Sequence, residues 1–386
     1  MIVTLEGIGT LNKGAELMMY AMLQEIEKKD PGSIVYLPID SAKQGLNYIS
    51  TTLDVRLKPV QKIRDWCKRN HIIGICKRLH IPISTIFEDK YYVNGTDYLI
   101  DGSGFHYSDV WNHSQKMMEN RRHLLESHKR HGAKIVLMPQ AFGPLNKKSM
   151  KDGIREVDKY ADIVFCRDDV SWAYLEECAQ INMSKVKRFC DYTSLVTPII
   201  PPEYKHLYGG VCIIPNCRLF DKSDLTFDEY LGFVKKIISH AQTYGKIPYL
   251  LNHEGDADTK IATQIIQNLD SPIELVDNLN ALEVKGMIST AYCVISSRFH
   301  GVASALNTCV PCIATGWSHK YQELFKDYGV ENGMIEINDS PENQQVLLQN
   351  ILDEEKNKKQ RASLEANVSK IQNKVREMWK IIWSLK

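Results

Sequence analysis

Short β-rich runs alternate with longer helical patterns along most of this chain, and no other feature narrows its fold as much. MIVTLEGI, SIVYLPID, DYLIDGS, AKIVLMPQ and DIVFCR are interleaved with helical patterns from Gly14 to about Lys28, across 115–131 and near 169–179. That alternation predicts an α/β fold, a parallel sheet covered by helices on both faces. TPIIPPEYKHLYGG then breaks the rhythm with three prolines and two adjacent glycines. The pattern restarts as GVCIIPN, a helix over FDEYLGFVKKIISHAQTYG, then IPYLLNH, a helix over TKIATQIIQNL, IELVD, a helix near 279–289 and YCVISS. A chain of 386 residues is long for one core. Two α/β domains are expected, 1–200 and 201–386, with the boundary near 197–206. The segment from about Glu342 to Lys386 reads as charged amphipathic helices ending in Trp379, Ile381, Ile382 and Trp383, which dock the tail, with the first domain as one choice of surface.

Charge and cysteine usage exclude more than they assign. The net charge is +1, so nothing global argues for a nucleic-acid partner, and an anionic substrate would be steered by local clusters. No apolar run approaches the roughly 20 residues that cross a bilayer. The opening MIVTLEGIGTLNKGAE has no basic segment followed by an apolar core, so a cytoplasmic location is expected. The ten cysteines sit mostly in apolar runs, as reduced buried thiols do. Cys309 and Cys312 form a C-x-x-C without a second ligand pair and run into PCIAT, which favours core packing over redox or zinc chemistry. One stretch, 59–83, carries Lys62, Arg64, Lys68, Arg69, Lys77 and Arg78 against the single acid Asp65, with Trp66 and isoleucines between. It reads as a solvated excursion over the sheet or as a peripheral contact with an anionic membrane surface, at the inner face.

Open α/β sheets bind ligands where strands end and helix N-termini present free N–H groups. GIGTLNKGAE follows the first strand; Gly7, Gly9 and Gly14 permit close backbone approach, and Asn12 can hydrogen-bond a ligand, but the spacing fits neither G-x-G-x-x-G nor a P-loop. Gly102, Ser103 and Gly104 end one strand, and Pro139, Gln140, Gly143 and Pro144 close another. In DIVFCRDDVSWAYL, Asp168, Asp169 and Ser171 suit a helix start, with Ser171 as a capping residue. Arg167 opposes the dipole there, which points to an anionic ligand.

AYCVISSRFHGVASALNTCVPCIATG carries the densest chemistry. Arg298 and His300 leave a strand just where a helix begins, and Lys320 follows the next strand. In a parallel βαβ unit both strand ends lie on one rim, so Lys320 is expected near His300. Arginine clamps carboxylate or phosphate, lysine is a point charge, and histidine moves protons near neutral pH. Asn252 and His253 precede an acidic loop, Glu254, Asp256 and Asp258, suited to an acceptor; it lacks an EF-hand pattern and no metal is assigned.

With Asn12-Lys13-Gly14, the GSG loop at 102–104, MPQAFGP, CRDDVS, Asp191 after a strand and SSRFHGVASALNTCVPCIATGWSHKYQELFKDYG in view, the chain resembles the polysaccharide pyruvyl transferase family over most of both domains. Two positions depart from the family pattern: many members have aspartate directly after the glycine where Ala15 stands, and glycine where Cys309 stands. The resemblance implies two Rossmann-like domains facing across a cleft, as in GT-B glycosyltransferases. It implies phosphoenolpyruvate as donor co-substrate, without a further cofactor, and a sugar or lipid-linked oligosaccharide as acceptor, joined as a pyruvate ketal in a cell-surface polysaccharide. It carries the donor-binding role onto Arg167, Arg298 and Lys320 and the catalytic histidine onto His300; Asn12, Gly14, Gly102, Ser103, Gly104, Gln140 and His253 fall on acceptor or cleft loops. Two other readings are a GT-B glycosyltransferase using a nucleotide sugar and a non-catalytic glycan-binding member.

Overall fold

A computed structural model describes residues 1–10, 12–37, 52–57, 70–78, 95–222, 225–315, 319–330 and 333–385. Most of the basic stretch 59–83 lies outside them. Among the described residues the backbone forms two wholly parallel sheets, and the contacts divide the chain into two compact units.

Unit 1 comprises 1–10, 18–189 and 379–386. Its strands are β1 (Ile2–Glu6), β2 (Ile34–Leu37), β3 (Asp54–Leu57), β4 (Tyr98–Asp101), β5 (Lys134–Gln140), β6 (Ile163–Cys166) and β7 (Val186–Arg188), in the order β3-β2-β1-β4-β5-β6-β7. Its helices are most of α1 (Lys13–Lys29), α2 (Ile72–Arg78), α3 (Gln115–Arg130), α4 (Lys148–Tyr160) and α5 (Asp169–Cys178). β6 is buried along its whole length, the mark of a strand covered on both faces, which is why it reads as an apolar run and not an alternating one. The alternation of strand and helix did not yield β3 or α4. α4 is nevertheless amphipathic, burying Met150, Gly153, Ile154, Val157 and Tyr160 at helical spacing. Trp383 meets the edge of Tyr98 at 5.3 Å between ring centroids and stacks on Trp379, which places the end of the tail in unit 1.

Unit 2 comprises 11–17 and 190–378. Its strands are β8 (Val211–Ile214), β9 (Pro248–Leu251), β10 (Glu274–Val276), β11 (Cys293–Ser296) and β12 (Cys312–Ala314), in the order β10-β9-β8-β11-β12. Its helices are α6 (Arg218–Lys222), α7 (Phe227–Thr243), α8 (Gly255–Gln267), α9 (Ala281–Thr290), α10 (Phe299–Asn307), α11 (His319–Asp327), α12 (Pro341–Leu352) and α13 (Glu354–Trp383) up to Met378. α7 shows why the sequence folds this way. Thr226 and Glu229 close a capping box at its start. Tyr230, Phe233, Val234, Ile237, Ile238 and Ala241 then form one buried stripe at 3–4 residue spacing. Each large side chain there contributes about 1.5–3 kcal/mol by leaving water. Residues 197–206, the expected boundary, lie within unit 2: Ile199 N–H donates to Leu282 O at 3.1 Å, and a Cβ on Gly286 would stand 1.8 Å from Ile199 O. Among the described residues no helix is long and apolar enough to cross a membrane.

Candidate active site

Because the five strands of unit 2 are parallel, their carboxyl ends share one rim, and the central pair β8 and β11 places Asn216–Arg218 beside Ser297–His300. The exit of β11 is fixed at Ser297, whose carbonyl accepts from Asn216 Nδ2 at 2.8 Å and Tyr321 Oη at 2.9 Å. Arg298 occupies the N-cap position of α10 without a side-chain cap. Its N–H instead donates to Ser296 Oγ at 3.0 Å.

The Arg298 guanidinium is held by acids. Nε donates to Asp258 Oδ2 at 2.9 Å and Nη2 to Asp258 Oδ1 at 2.6 Å, a bidentate clasp, while Nη1 pairs with Glu254. Asp258 is fully buried and also accepts from Cys217 N–H at 3.0 Å. Burial pulls Arg298 down to about 10 and pushes Asp258 up to about 6, so both are charged at neutral pH and the pair titrates as a unit. Two of the acids read as an acceptor loop therefore face Arg298, while Asp256 lies exposed.

His300 stands one turn into the same rim. Its Nε2 lies 3.5 Å from Asp191 Oδ2. On the other side of the ring, a Cβ on Gly14 would be 2.3 Å from Nδ1. Phe299 is buried and sets its ring edge to His300 at 5.2 Å and to Tyr321 at 5.8 Å. Lys320 Nζ lies 5.4 Å from the Phe299 ring centroid. The structure thus brings Arg298, His300 and Lys320 to one rim, with His300 and Lys320 set against the Phe299 ring. His253, buried at the end of β9, belongs to the same rim; burial, with Arg298, His300 and Lys13 adding positive charge, holds its imidazole well below the usual range and therefore neutral.

The early loop behaves differently from its sequence reading. Asn12 Oδ1 accepts from Gly14 N–H at 2.8 Å and Ala15 N–H at 3.1 Å, so this side chain caps α1. The close approaches at Gly7 and Gly14 are made by the protein's own Ser103 and His300, and Gly9 has nothing within 4 Å of where a Cβ would be.

The remaining residues lie at the rim of unit 1. Gly102 N–H donates to Glu6 O at 2.9 Å, and Ser103 donates to Asp101 Oδ1 from both N–H (3.0 Å) and Oγ (2.6 Å). A Cβ on Gly104 would sit 3.2 Å from Met18 Cε. Gln140 is wholly buried, and its side-chain amide makes no hydrogen bond. Arg167 is 5% exposed, and its N–H donates to Gln140 O at 3.0 Å. The α5 cap is Asp168, which accepts from Ser171 N–H at 2.7 Å; Ser171 Oγ, read as a cap, accepts from Phe142 N–H at 2.8 Å instead.

Sequence reasoning passed over two groups. Lys285 is 1% exposed and donates from Nζ to Thr193 O at 2.9 Å and Val196 O at 3.0 Å. Its signal was its place, at i+3 from Leu282 and i−3 from Ile288, on the apolar face of α9. The other is the Asp101–Arg121 pair, in which Arg121 Nε also donates to the buried Tyr107 hydroxyl at 3.3 Å. Cys309 and Cys312 are free thiols, the second buried in β12.

No curated protein matches the sequence. Solved structures resemble it across nearly its whole length at low identity. UDP-GlcNAc 2-epimerase from Neisseria meningitidis, bound to UDP-GlcNAc, gives a TM-score of 0.61 at 11% identity, covering 100% of each chain. Anabaena HepE in complex with UDP and glucose gives 0.60 at 12%, covering 100% of this chain and 99% of its own. The UDP-GlcNAc 2-epimerase of Methanocaldococcus jannaschii gives 0.55 at 10%, covering 92% and 94%. These likenesses establish the GT-B-like α/β fold. The model of one family, polysaccharide pyruvyl transferase, matches residues 12–319. A match of that extent runs from the Asn12 cap through Arg298 and His300 to the start of α11, and the chain belongs to the polysaccharide pyruvyl transferase family.

Proposed function

We propose that this protein transfers the enolpyruvyl group of phosphoenolpyruvate to a sugar of a cell-surface polysaccharide or its lipid-linked precursor, closing a pyruvate ketal on two hydroxyls and releasing phosphate. The observation that carries the reading is the gathering of Arg298, His300 and Lys320 at one helix N-terminus, in a member of this family. The donor has a carboxylate and a phosphate of about −1.5 to −2 charge, and a rim with two cations, an imidazole and a helix N-terminus suits both.

In this mechanism protonated His300 gives its proton to the methylene carbon of the enol, and the double-bond electrons form the new C–H bond. The carbon bearing the phosphate oxygen becomes oxocarbenium-like, and one sugar hydroxyl attacks it. The C–O bond to phosphate breaks, phosphate departing with the electron pair toward Lys320 and Arg298. The second hydroxyl closes the ketal; of the two hydroxyl protons, one restores His300 and one leaves with phosphate. The family resemblance carries a donor role onto Arg167 as well, and Gly102–Gly104, Gln140 and His253 fall on acceptor or cleft loops.

Phosphate release from phosphoenolpyruvate, with a panel of free and lipid-linked glycans read by mass, tests the reaction. Turnover that survives His300→Ala at near wild-type rate would remove the acid, and unchanged donor KM on charge reversal at Arg167 would remove its assignment. Thermal stabilisation by a nucleoside diphosphate but not by phosphoenolpyruvate would overturn the reading in favour of a nucleotide-sugar transferase.

A further inference from the structure

Resting on the pyruvyl-transfer reading, we propose that Asp191 is the positioning residue for His300: it holds the Nε2 edge of the imidazole, leaving Nδ1 as the nitrogen that gives up the proton. Asp191 follows β7 and opens a short 3-10 turn, Tyr192–Leu195, that packs against α10. One of its oxygens is fixed, since Oδ1 accepts from Thr193 N–H at 3.0 Å and from Thr193 Oγ1 at 2.5 Å. The other, Oδ2, lies 3.5 Å from His300 Nε2.

The two edges of the ring are not equivalent. Nε2 is fully buried and faces the carboxylate at 3.5 Å without closing a hydrogen bond to it. Nδ1 lies against Gly14, where any Cβ would stand 2.3 Å away and cover it. A carboxylate behind one ring nitrogen fixes the tautomer and leaves the other nitrogen for proton transfer, as in other acid–base dyads. Between the two histidines of this rim the carboxylate also makes a choice. His253 is buried and held neutral by burial, Arg298, His300 and Lys13, while His300 has the carboxylate partner.

The carboxylate is itself held from behind. Lys285 Nζ donates to Thr193 O at 2.9 Å and Val196 O at 3.0 Å, which pins the turn on both sides of Ser194, and its charge lies close enough to Asp191 to interact. The chain of support runs from α9 through the turn to the carboxylate and then to the imidazole. None of these links touches the reacting carbon, so the expected effect of cutting one is on the rate of the proton transfer.

Asp191→Asn should lower kcat at least 10-fold with the KM for phosphoenolpyruvate within about twofold of wild type, and Asp191→Glu should restore part of the loss. Nitrogen-15 NMR of imidazole-labelled, ligand-free protein reads the dyad without any turnover. Neutral His300 should carry its proton on Nε2 in the wild type and lose that preference in Asp191→Asn. Lys285→Met keeps the carboxylate and should move both readouts the same way by a smaller amount, which covers a failure of Asp191→Asn to fold. Equal losses in kcat and donor affinity, or a neutral His300 protonated on Nδ1 in the wild type, would overturn the proposal. An Nε2 tautomer that depends on Asp191, in a protein that releases no phosphate from phosphoenolpyruvate, would leave the dyad standing and sink the pyruvyl-transfer reading instead.

Discussion

Each unit buries an arginine–aspartate pair at the carboxyl rim of its sheet, and the two pairs are built to different ends. In unit 1, burial opposes both charges of Asp101 and Arg121, yet their mutual attraction, with Tyr107 and Glu6 supporting the guanidinium and Ser103 the carboxylate, raises Arg121 and lowers Asp101. In unit 2 burial prevails: Arg298 falls to about 10 and Asp258 rises to about 6, with the cation of Arg218 beside Arg298 adding to the fall. The first pair is a lock, with every partner inside the fold. The second is a cation held in readiness, because Glu254, one of its two acids, is 27% exposed.

The sharpest test of that contrast is to delete each arginine. Arg121→Ala leaves Asp101 buried and unpaired, and should cost about 3–5 kcal/mol of stability, read from urea unfolding. Arg298→Ala should cost distinctly less, because Asp258 already takes a proton near pH 6 and Glu254 reaches water. Its loss should appear as a collapse of donor turnover. Equal destabilisation by the two variants would erase the distinction.

The glycines of the two rims extend the comparison. Gly7 has φ +67° and faces Ser103 Oγ, so Gly7→Ala should weaken unit 1 by about 1–3 kcal/mol through backbone strain and contact. Gly14 has ordinary helical backbone and faces His300 Nδ1, so Gly14→Ala should leave the melting temperature almost unmoved and lower kcat about 100-fold by displacing the imidazole. Turnover in Gly14→Ala near the wild-type value would show that the ring has room to move without loss.

A smaller effect separates the buried lysine of unit 2 from ordinary surface lysines. Burial holds Lys285 down to about 7, whereas in the unfolded chain an amine titrates near 10.4. Between those values the unfolded state binds more protons, so this group's contribution grows as pH rises from 7 towards 10, falls away as pH drops from 10 to 7, and adds no further pH dependence below 7, where both states are protonated. The stability of wild type relative to Lys285→Met should therefore rise by about 2–3 kcal/mol from pH 6 to pH 9 in denaturant titrations. A constant gap would mean that Lys285 acts only as a packing group.

How much of this was legible in the sequence follows from what each feature depends on. The strand–helix alternation is local, so most of both sheets, though not the edge strand β3, and the α10 start at Arg298 could be read directly. Lys320 could be placed on the same rim as His300 because parallel βαβ units bring consecutive strand ends together, and its Nζ lies 5.4 Å from the Phe299 ring centroid. The partners of the charged residues could not be placed. Asp258 meets Arg298 across 40 residues, Asp191 meets His300 across 109, and Lys285 reaches Thr193 across 92, so sequence spacing fixes none of them. Loops read as openings toward a ligand turn out to have protein neighbours of their own: Gly7 faces Ser103, Gly14 faces His300 Nδ1, and Asn12 caps α1. A glycine marks a close approach, but what approaches is a tertiary fact.

The finest test concerns the exposed acid that makes the unit 2 pair different. Glu254 occupies Nη1 of Arg298, while Asp258 keeps Nε and Nη2 in a bidentate clasp that orients the plane. A donor anion that reaches Arg298 must displace Glu254, because Asp258 is buried and tied to Cys217 N–H. Glu254→Gln keeps an acceptor for the guanidinium and removes the competing charge. The KM for phosphoenolpyruvate should fall about 2–5-fold at low salt, with kcat near wild type, and the difference should shrink as added salt screens this part-exposed charge. Asp258→Asn should do the opposite and raise donor KM, since it releases the orientation of Arg298 along with the charge. If both substitutions shift KM the same way, the two acids act as one field, and the exposed and buried partners of Arg298 have no separate work.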